Sequence, residues 1–210
     1  MYDKLVTYIK LIQARPHHLM VAFAVLFFIT SSVVMFSERH SVVITETASS
    51  TENKISGPIL GTSKPTHIRI PKINVTADFE KPLGLTLDGE VAVPEAYDTV
   101  GYYKYGPTPG ELGPAVVLGH VDSVAGPAVF YSLGQLEVGD EIDIDRVDGT
   151  TATFLVTKLE RHPQSGFPTE EVYGNINYAG LRLITCSGIF NKGAQRYSHN
   201  LIVFAELKEE

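Results

Sequence analysis

The chain has one cysteine, Cys186, so an internal disulfide is excluded, and the thiol is either a small buried apolar group, an intermolecular link or a nucleophile. It stands in LRLITCSG, at the end of an apolar, β-rich run and directly before Ser187 and Gly188, where the chain must leave a sheet. A strand end is where a rigid scaffold presents a side chain to a cleft. Histidine is the usual partner of a reactive thiol, because imidazolium can stabilise a thiolate and then protonate a leaving amine near neutral pH. Of the seven histidines, His120 has the matching setting: it stands in VVLGHVDS, again at a strand end, with Gly119 allowing close backbone approach and Asp122 two residues on. Sixty-six positions separate His120 from Cys186, so only the fold can pair them. Arg196, ten residues after the cysteine, opens RYSHNLIVFAEL. A guanidinium stays charged and offers several donors, which suits a developing oxyanion or a substrate carbonyl. Taken singly, each has a plainer reading: an idle buried thiol, a structural or surface histidine, a solvated arginine on a strand edge.

The elements that must position these groups read as strands and turns. The composition of 18 Gly, 12 Pro, 10 Tyr and 10 Phe, without Trp, favours short strands over long helices. Residues 66–75 read as a strand kinked by Pro71, and residues 115–118 as a short buried strand delivering Gly119 and His120. Residues 141–147 alternate in polarity, and Asp148-Gly149 then turns the chain into a strand over 151–159. Residues 181–186 and 200–207 are two further strands, joined by a polar loop containing Asn191 and Gly193. Short helical pieces are expected around 127–133 and 169–173. Five to eight strands with turns at close intervals make an all-β fold, a small closed or nearly closed barrel.

Ahead of that domain, residues 19–36 run eighteen positions without a charge, the length of a membrane-crossing helix. No small-residue cleavage site follows closely, so an uncleaved anchor is favoured over a removed signal peptide. Lys4, Lys10 and Arg15 precede the span and Arg39 alone soon follows it, which sets residues 1–18 in the cytoplasm and the body of the chain outside. Residues 37–65, rich in Ser and Thr, read as a flexible extracellular stalk, and residues 66–210 as the folded domain. The net charge of −7 resolves into +2 for residues 1–36 and −9 for the remainder, which disfavours nucleic acid as a partner. Outside the cell no reducing pool protects an idle exposed thiol, so Cys186 is either buried or used.

Three segments in order, VVLGHVDS, LRLITCSG and RYSHNLIVFAEL, behind an amino-terminal anchor, resemble the sortases, most of all the class F group and its near relatives. The likeness extends to IRIPKINV, to GPAVFYSLGQLEVGDEIDI after the histidine and to FPTEEVYG, and so runs from about residue 66 to the end. It implies an eight-stranded closed sortase-type β-barrel and an acyl-transfer cycle without cofactor or metal. In that cycle Cys186 attacks a carbonyl of an LPXTG-like sorting signal, His120 protonates the departing amine and Arg196 steadies the oxyanion. An amine acceptor, such as a peptidoglycan precursor, then resolves the thioester. The implied partners are sorting-signal-bearing secreted proteins, the amine acceptor and, through residues 19–36, the lipid bilayer. Asp122, Thr185, Asn200 and Phe167 are expected to touch substrate. Two positions depart from the common pattern: Ile184 stands where many sortases have threonine, and Asn200 takes the place directly before the last apolar strand where better-known classes carry the arginine. Asn200 is therefore a possible substitute donor, and Arg182 a weaker one. Asp140, Asp143, Asp145 and Asp148 read as a solvated hairpin and not as calcium ligands. Two other functions remain open to the sequence: a sortase-like peptidase resolved by water, and a membrane-tethered barrel that binds peptide without turning it over.

Overall fold

The structure, a computed structural model, describes residues 54–209. The expected cytoplasmic segment, membrane span and first part of the stalk lie outside these residues. Among the described residues no helix is long and apolar enough to cross a membrane.

Ten strands run in chain order: β1 (Pro65–Ile70), β2 (Val75–Asp78), β3 (Val100–Tyr102), β4 (Gly113–Gly119), β5 (Asp122–Ser123), β6 (Gly126–Pro127), β7 (Glu141–Arg146), β8 (Thr151–Pro163), β9 (Ala179–Asn191) and β10 (Arg196–Leu207). Eight form one sheet in the order β2-β1-β7-β8-β10-β9-β4-β3, and β5 with β6 makes a small separate hairpin. Only the β4–β9 pairing in the large sheet is parallel. The expected closed barrel is instead a curled sheet whose edge strands β2 and β3 do not pair with each other. The chain leaving β2 bridges the gap: Phe79 pairs with Val100, and the Glu80 and Leu83 amides donate to the Val100 and Tyr102 carbonyls (both 2.8 Å).

Three sequence readings change in detail. The kinked strand over 66–75 is a hairpin, β1 and β2 joined by the 3-10 turn Pro71–Ile73, because Asn74 takes a left-handed conformation (φ 51°) that reverses the chain. The helical piece expected over 127–133 is the end of β6 followed by turns, with a 3-10 turn at Leu133–Gln135. The one short α-helix among the described residues, Thr169–Tyr173, lies where the sequence puts it. Residues 54–64, read as the end of the stalk, are hydrogen-bonded to the domain. The Ser56 and Leu60 amides donate to the Asn177 and Gly110 carbonyls (both 2.7 Å), and the buried Arg146 side chain donates to the Gly61 carbonyl.

The apolar runs explain the layering. Ile68, Ile70, Val117, Ile142, Ile144, Phe154, Leu181, Leu183 and Val203 fill the inside of the curl. The alternate residues Val116, Leu118, Ile184, Ile202 and Phe204 form a second cluster on the outer face of β4, β9 and β10, covered by Leu83 and Val172. Strands buried on both faces read as continuous apolar stretches rather than alternating ones, which is how AVVL and LIVFA appear in the sequence. The acidic hairpin β7–β8 turns at Gly149 (φ 82°) and its carboxylates have local partners: Asp145 pairs with Arg69 and Thr151, Asp143 with Thr153, and Asp148 with Thr150.

Candidate active site

The site is built on the sheet order β10-β9-β4, with the cysteine strand in the middle. The parallel ladder pairs Val116 with Arg182, Val117 with Leu183 and Leu118 with Ile184. Carried two residues further, that register sets His120 beside Cys186 on adjacent chains, about 4.8 Å apart at strand spacing. Side chains alternate with period two, so both continue the outer face already marked by Leu118 and Ile184. On the other flank Asn200 of β10 lies directly across from Cys186. Gly119 is required before the histidine, since a Cβ there would stand 2.6 Å from the Phe130 ring.

The imidazole of His120 is held from two sides. Its Nε2 donates to the Pro94 carbonyl (2.8 Å), and the Tyr97 ring lies against it with centroids 4.6 Å apart. A carbonyl only accepts, so this bond puts the proton on Nε2 and leaves Nδ1 to accept one. Neither Pro94 nor Tyr97 stands out in the sequence: both come from the long connection between β2 and β3, and nothing in their own neighbourhood points to His120.

The Cys186 thiol is half-buried. Burial pushes its pKa up, the Asp122 carboxylate pushes it further, and Arg196 opposes both. The thiol is thus protonated at neutral pH and lies within electrostatic reach of one cation and one anion. Arg196 pairs with Asn191, five residues past Cys186 on β9, and acts on the thiol through its charge from the face it shares with Asn200. The ladder is irregular between Tyr197 and His199, where β9 carries the extra residue and turns through Gly188 at φ 83°. Asp122 accepts a short hydrogen bond from the Tyr197 hydroxyl, whose pKa is pushed up to about 12, chiefly by that bond.

The remaining expected residues divide. Phe167 packs on the outer apolar cluster that includes Ile184, beside Tyr173, ring centroids 6.1 Å apart. Thr185 is buried, and its hydroxyl, like that of Ser187, has no hydrogen-bond partner among the described residues. Arg182 does not join the site. It is buried four residues before the cysteine, donates to the Leu181 and Glu171 carbonyls and to the Tyr178 hydroxyl, and stacks over Phe204 at 4.7 Å. No group of His, Cys, Asp and Glu among the described residues is arranged to hold a metal ion.

A half-buried thiol stands at the end of a curled β-sheet, with a histidine on the neighbouring chain in register. The family is given by the match of residues 68–208 to the sortase domain: the chain belongs to the sortases, which are cysteine transpeptidases of the cell surface. No curated protein matches the chain. Its fold is similar to that of a Clostridium perfringens sortase D5 transpeptidase (23% identity, TM-score 0.50, covering 69% of this chain and 79% of that one). It is similar also to a lid mutant of sortase A from Corynebacterium diphtheriae (19%, TM-score 0.54, 72% and 73%) and to sortase C1 from Streptococcus suis (18%, TM-score 0.53, 70% and 74%).

Proposed function

We propose that the chain is a membrane-anchored sortase, related most nearly to class F, that cleaves an LPXTG-like sorting signal and joins the cargo protein, through the carboxyl group freed by that cleavage, to an amine acceptor of the cell wall. Cys186 is the nucleophile, His120 the acid and base, and Arg196 the oxyanion donor. The observation that supports this reading is the central position of β9 between β4 and β10, which sets His120, 66 positions away in sequence, in register beside Cys186 and Asn200 across from it. As the Cys186 sulfur bonds to the scissile carbonyl carbon, its proton passes to Nδ1 of His120, the nitrogen left free by the bond to Pro94. The developing oxyanion is met by Arg196. Collapse breaks the C–N bond, and the same proton leaves with the amine. The acceptor amine then attacks the thioester, gives its proton to His120 and releases the thiolate, which is reprotonated. Because the resting thiol is neutral, this proton exchange with His120 is what makes it nucleophilic.

The apolar outer face with Phe167 suits the hydrophobic part of a sorting signal, and Asp122 and Asn200 flank the reacting end, whereas Thr185 is buried on the face of β9 opposite Cys186. Residues 19–36 anchor the chain with its amino terminus in the cytoplasm and residues 66–210 outside. The experiment is cleavage of a quenched fluorescent LPXTG-like peptide library with and without an added amine. An amine conjugate formed by the protein and abolished by Cys186→Ala supports transfer. A free acid alone supports a hydrolytic peptidase, and no cleavage with an alkylation-resistant thiol supports a binding barrel.

A further inference from the structure

One side-chain bond crosses the strand that carries the thiol. Tyr197, on β10, donates its hydroxyl hydrogen to Oδ2 of Asp122, which follows the end of β4, 75 positions away in sequence. Asp122 opens β5 three residues past the end of β4, and β9 lies between β4 and β10, so the bond joins the chains on either side of β9. Its two ends are not arbitrary. Tyr197 is the residue after Arg196, and Asp122 is the second residue after His120, so the bond ties the strand of one expected catalytic group to the loop of the other. Asp122 and Arg196 both act on the thiol, in opposite senses, and the charge of Cys186 in turn acts on Tyr197. The ionisable groups around the thiol are His120 and Asp122 from the β4 side and Arg196, Tyr197 and His199 from β10. His199 lies opposite Ser187 with its ring 2.7 Å from the Ser198 hydroxyl, and Tyr131 approaches Tyr197 from the turn after β6.

We propose that Tyr197 is a positioning residue for the transfer reaction: through Asp122 it straps the His120 loop to the Arg196 strand across β9, and it absorbs part of the carboxylate charge that would otherwise oppose the Cys186 thiolate. A carboxylate near a thiol disfavours ionisation, and a hydroxyl donated to that carboxylate disperses its charge. The two partners therefore have opposite effects on the thiol even though they make one bond. Removing the hydroxyl leaves the anion bare and makes the thiolate rarer. Removing the anion makes the thiolate commoner, while an asparagine at 122 still offers an oxygen to Tyr197.

The inference rests on Cys186 being the nucleophile, but its test does not need turnover. With one cysteine in the chain, the pH dependence of the alkylation rate titrates Cys186 alone. In the full chain, Tyr197→Phe is expected to lower the thiolate population at neutral pH about threefold and Asp122→Asn to raise it about threefold or more, half a pKa unit being a factor of about three. The double variant is expected to follow Asp122→Asn, because without the charge the hydroxyl has nothing to disperse. In peptide cleavage, Tyr197→Phe is expected to lower kcat with KM little changed. A strap that is merely structural would lower the melting temperature in both variants and leave the titration in place, and that result overturns the proposal, as does a shift of both single variants in the same direction. Where Tyr197→Phe melts below the assay temperature, Asp122→Asn decides alone, and a thiolate population unchanged by it overturns the proposal. If the wild type cleaves no peptide, the assignment of Cys186 as nucleophile fails, while the titration still reads the strap.

Discussion

The two halves of β9 differ sharply in burial. From Ala179 to Thr185 every residue is buried, the ladder to β4 and β10 is regular, and Leu181, Leu183 and Ile184 belong to one or other apolar cluster. From Cys186 to Asn191 the chain is half-buried, then exposed; it lies beyond the end of β4 and bulges at Gly188. Cys186 is the first residue past the boundary. The buried half fixes where the thiol is, to within a rotamer, because interiors packed on both faces have no freedom to shift. The open half leaves the thiol reachable and lets the sheet edge supply charged neighbours that could not be buried. One strand thus separates the task of holding from the task of reacting.

The contrast can be broken at several points. The largest expected loss comes from the buried half: Leu183→Ala should destabilise by about 2–5 kcal/mol, read by chemical denaturation, with the thiol titration of the surviving folded protein unchanged. Next, Arg196→Gln in the open half should cost about 10²–10³-fold in kcat for peptide cleavage with little loss of stability, the usual effect of removing an oxyanion donor. The same change should push the thiol further up, since Arg196 is the group that opposes burial and Asp122. Should Asn200→Ala cost more than Arg196→Gln, the oxyanion role moves to the residue directly across from the thiol. A smaller effect is expected for Gly188→Ala, about 1–2 kcal/mol of strain, because the residue sits at φ 83° and a Cβ would run into the Ser198 hydroxyl and stand 2.8 Å from His199 Nδ1. Last, the rate of Cys186 alkylation should climb with pH through a midpoint above that of an ordinary thiol, since burial and Asp122 hold the proton on; a midpoint below the ordinary range would reverse the electrostatics described for the site.

The same boundary explains what could be read from the sequence. The buried halves of β4, β9 and β10 were legible because continuous apolar runs have few other uses, and the hairpin at Asp148-Gly149 because that dipeptide supplies the left-handed turn. His120 and Cys186 were legible by their place at the ends of such runs. The hairpin at Asn74 was not, since asparagine in a short polar stretch does not announce a left-handed residue as glycine would. The strands on the open half run further than their apolar content suggests: β9 extends to Asn191 and β10 begins at Arg196, held by backbone pairing and not by burial. Tyr97, Pro94 and the Tyr197–Asp122 bond were invisible for a different reason. Each touches its partner across 23 to 75 positions of sequence, and the sheet order that brings them together leaves no local signature.

The central claim is that Cys186 forms a covalent acyl intermediate at this strand end. Intact-mass spectrometry of the protein incubated with an LPXTG-like peptide, without added amine, tests it most directly. The account predicts a mass increase equal to the amino-terminal peptide fragment joined through a thioester at Cys186, discharged by an added amine and absent in Cys186→Ala. Cleavage of the peptide by Cys186→Ala at the wild-type rate, with no adduct on either protein, would contradict it.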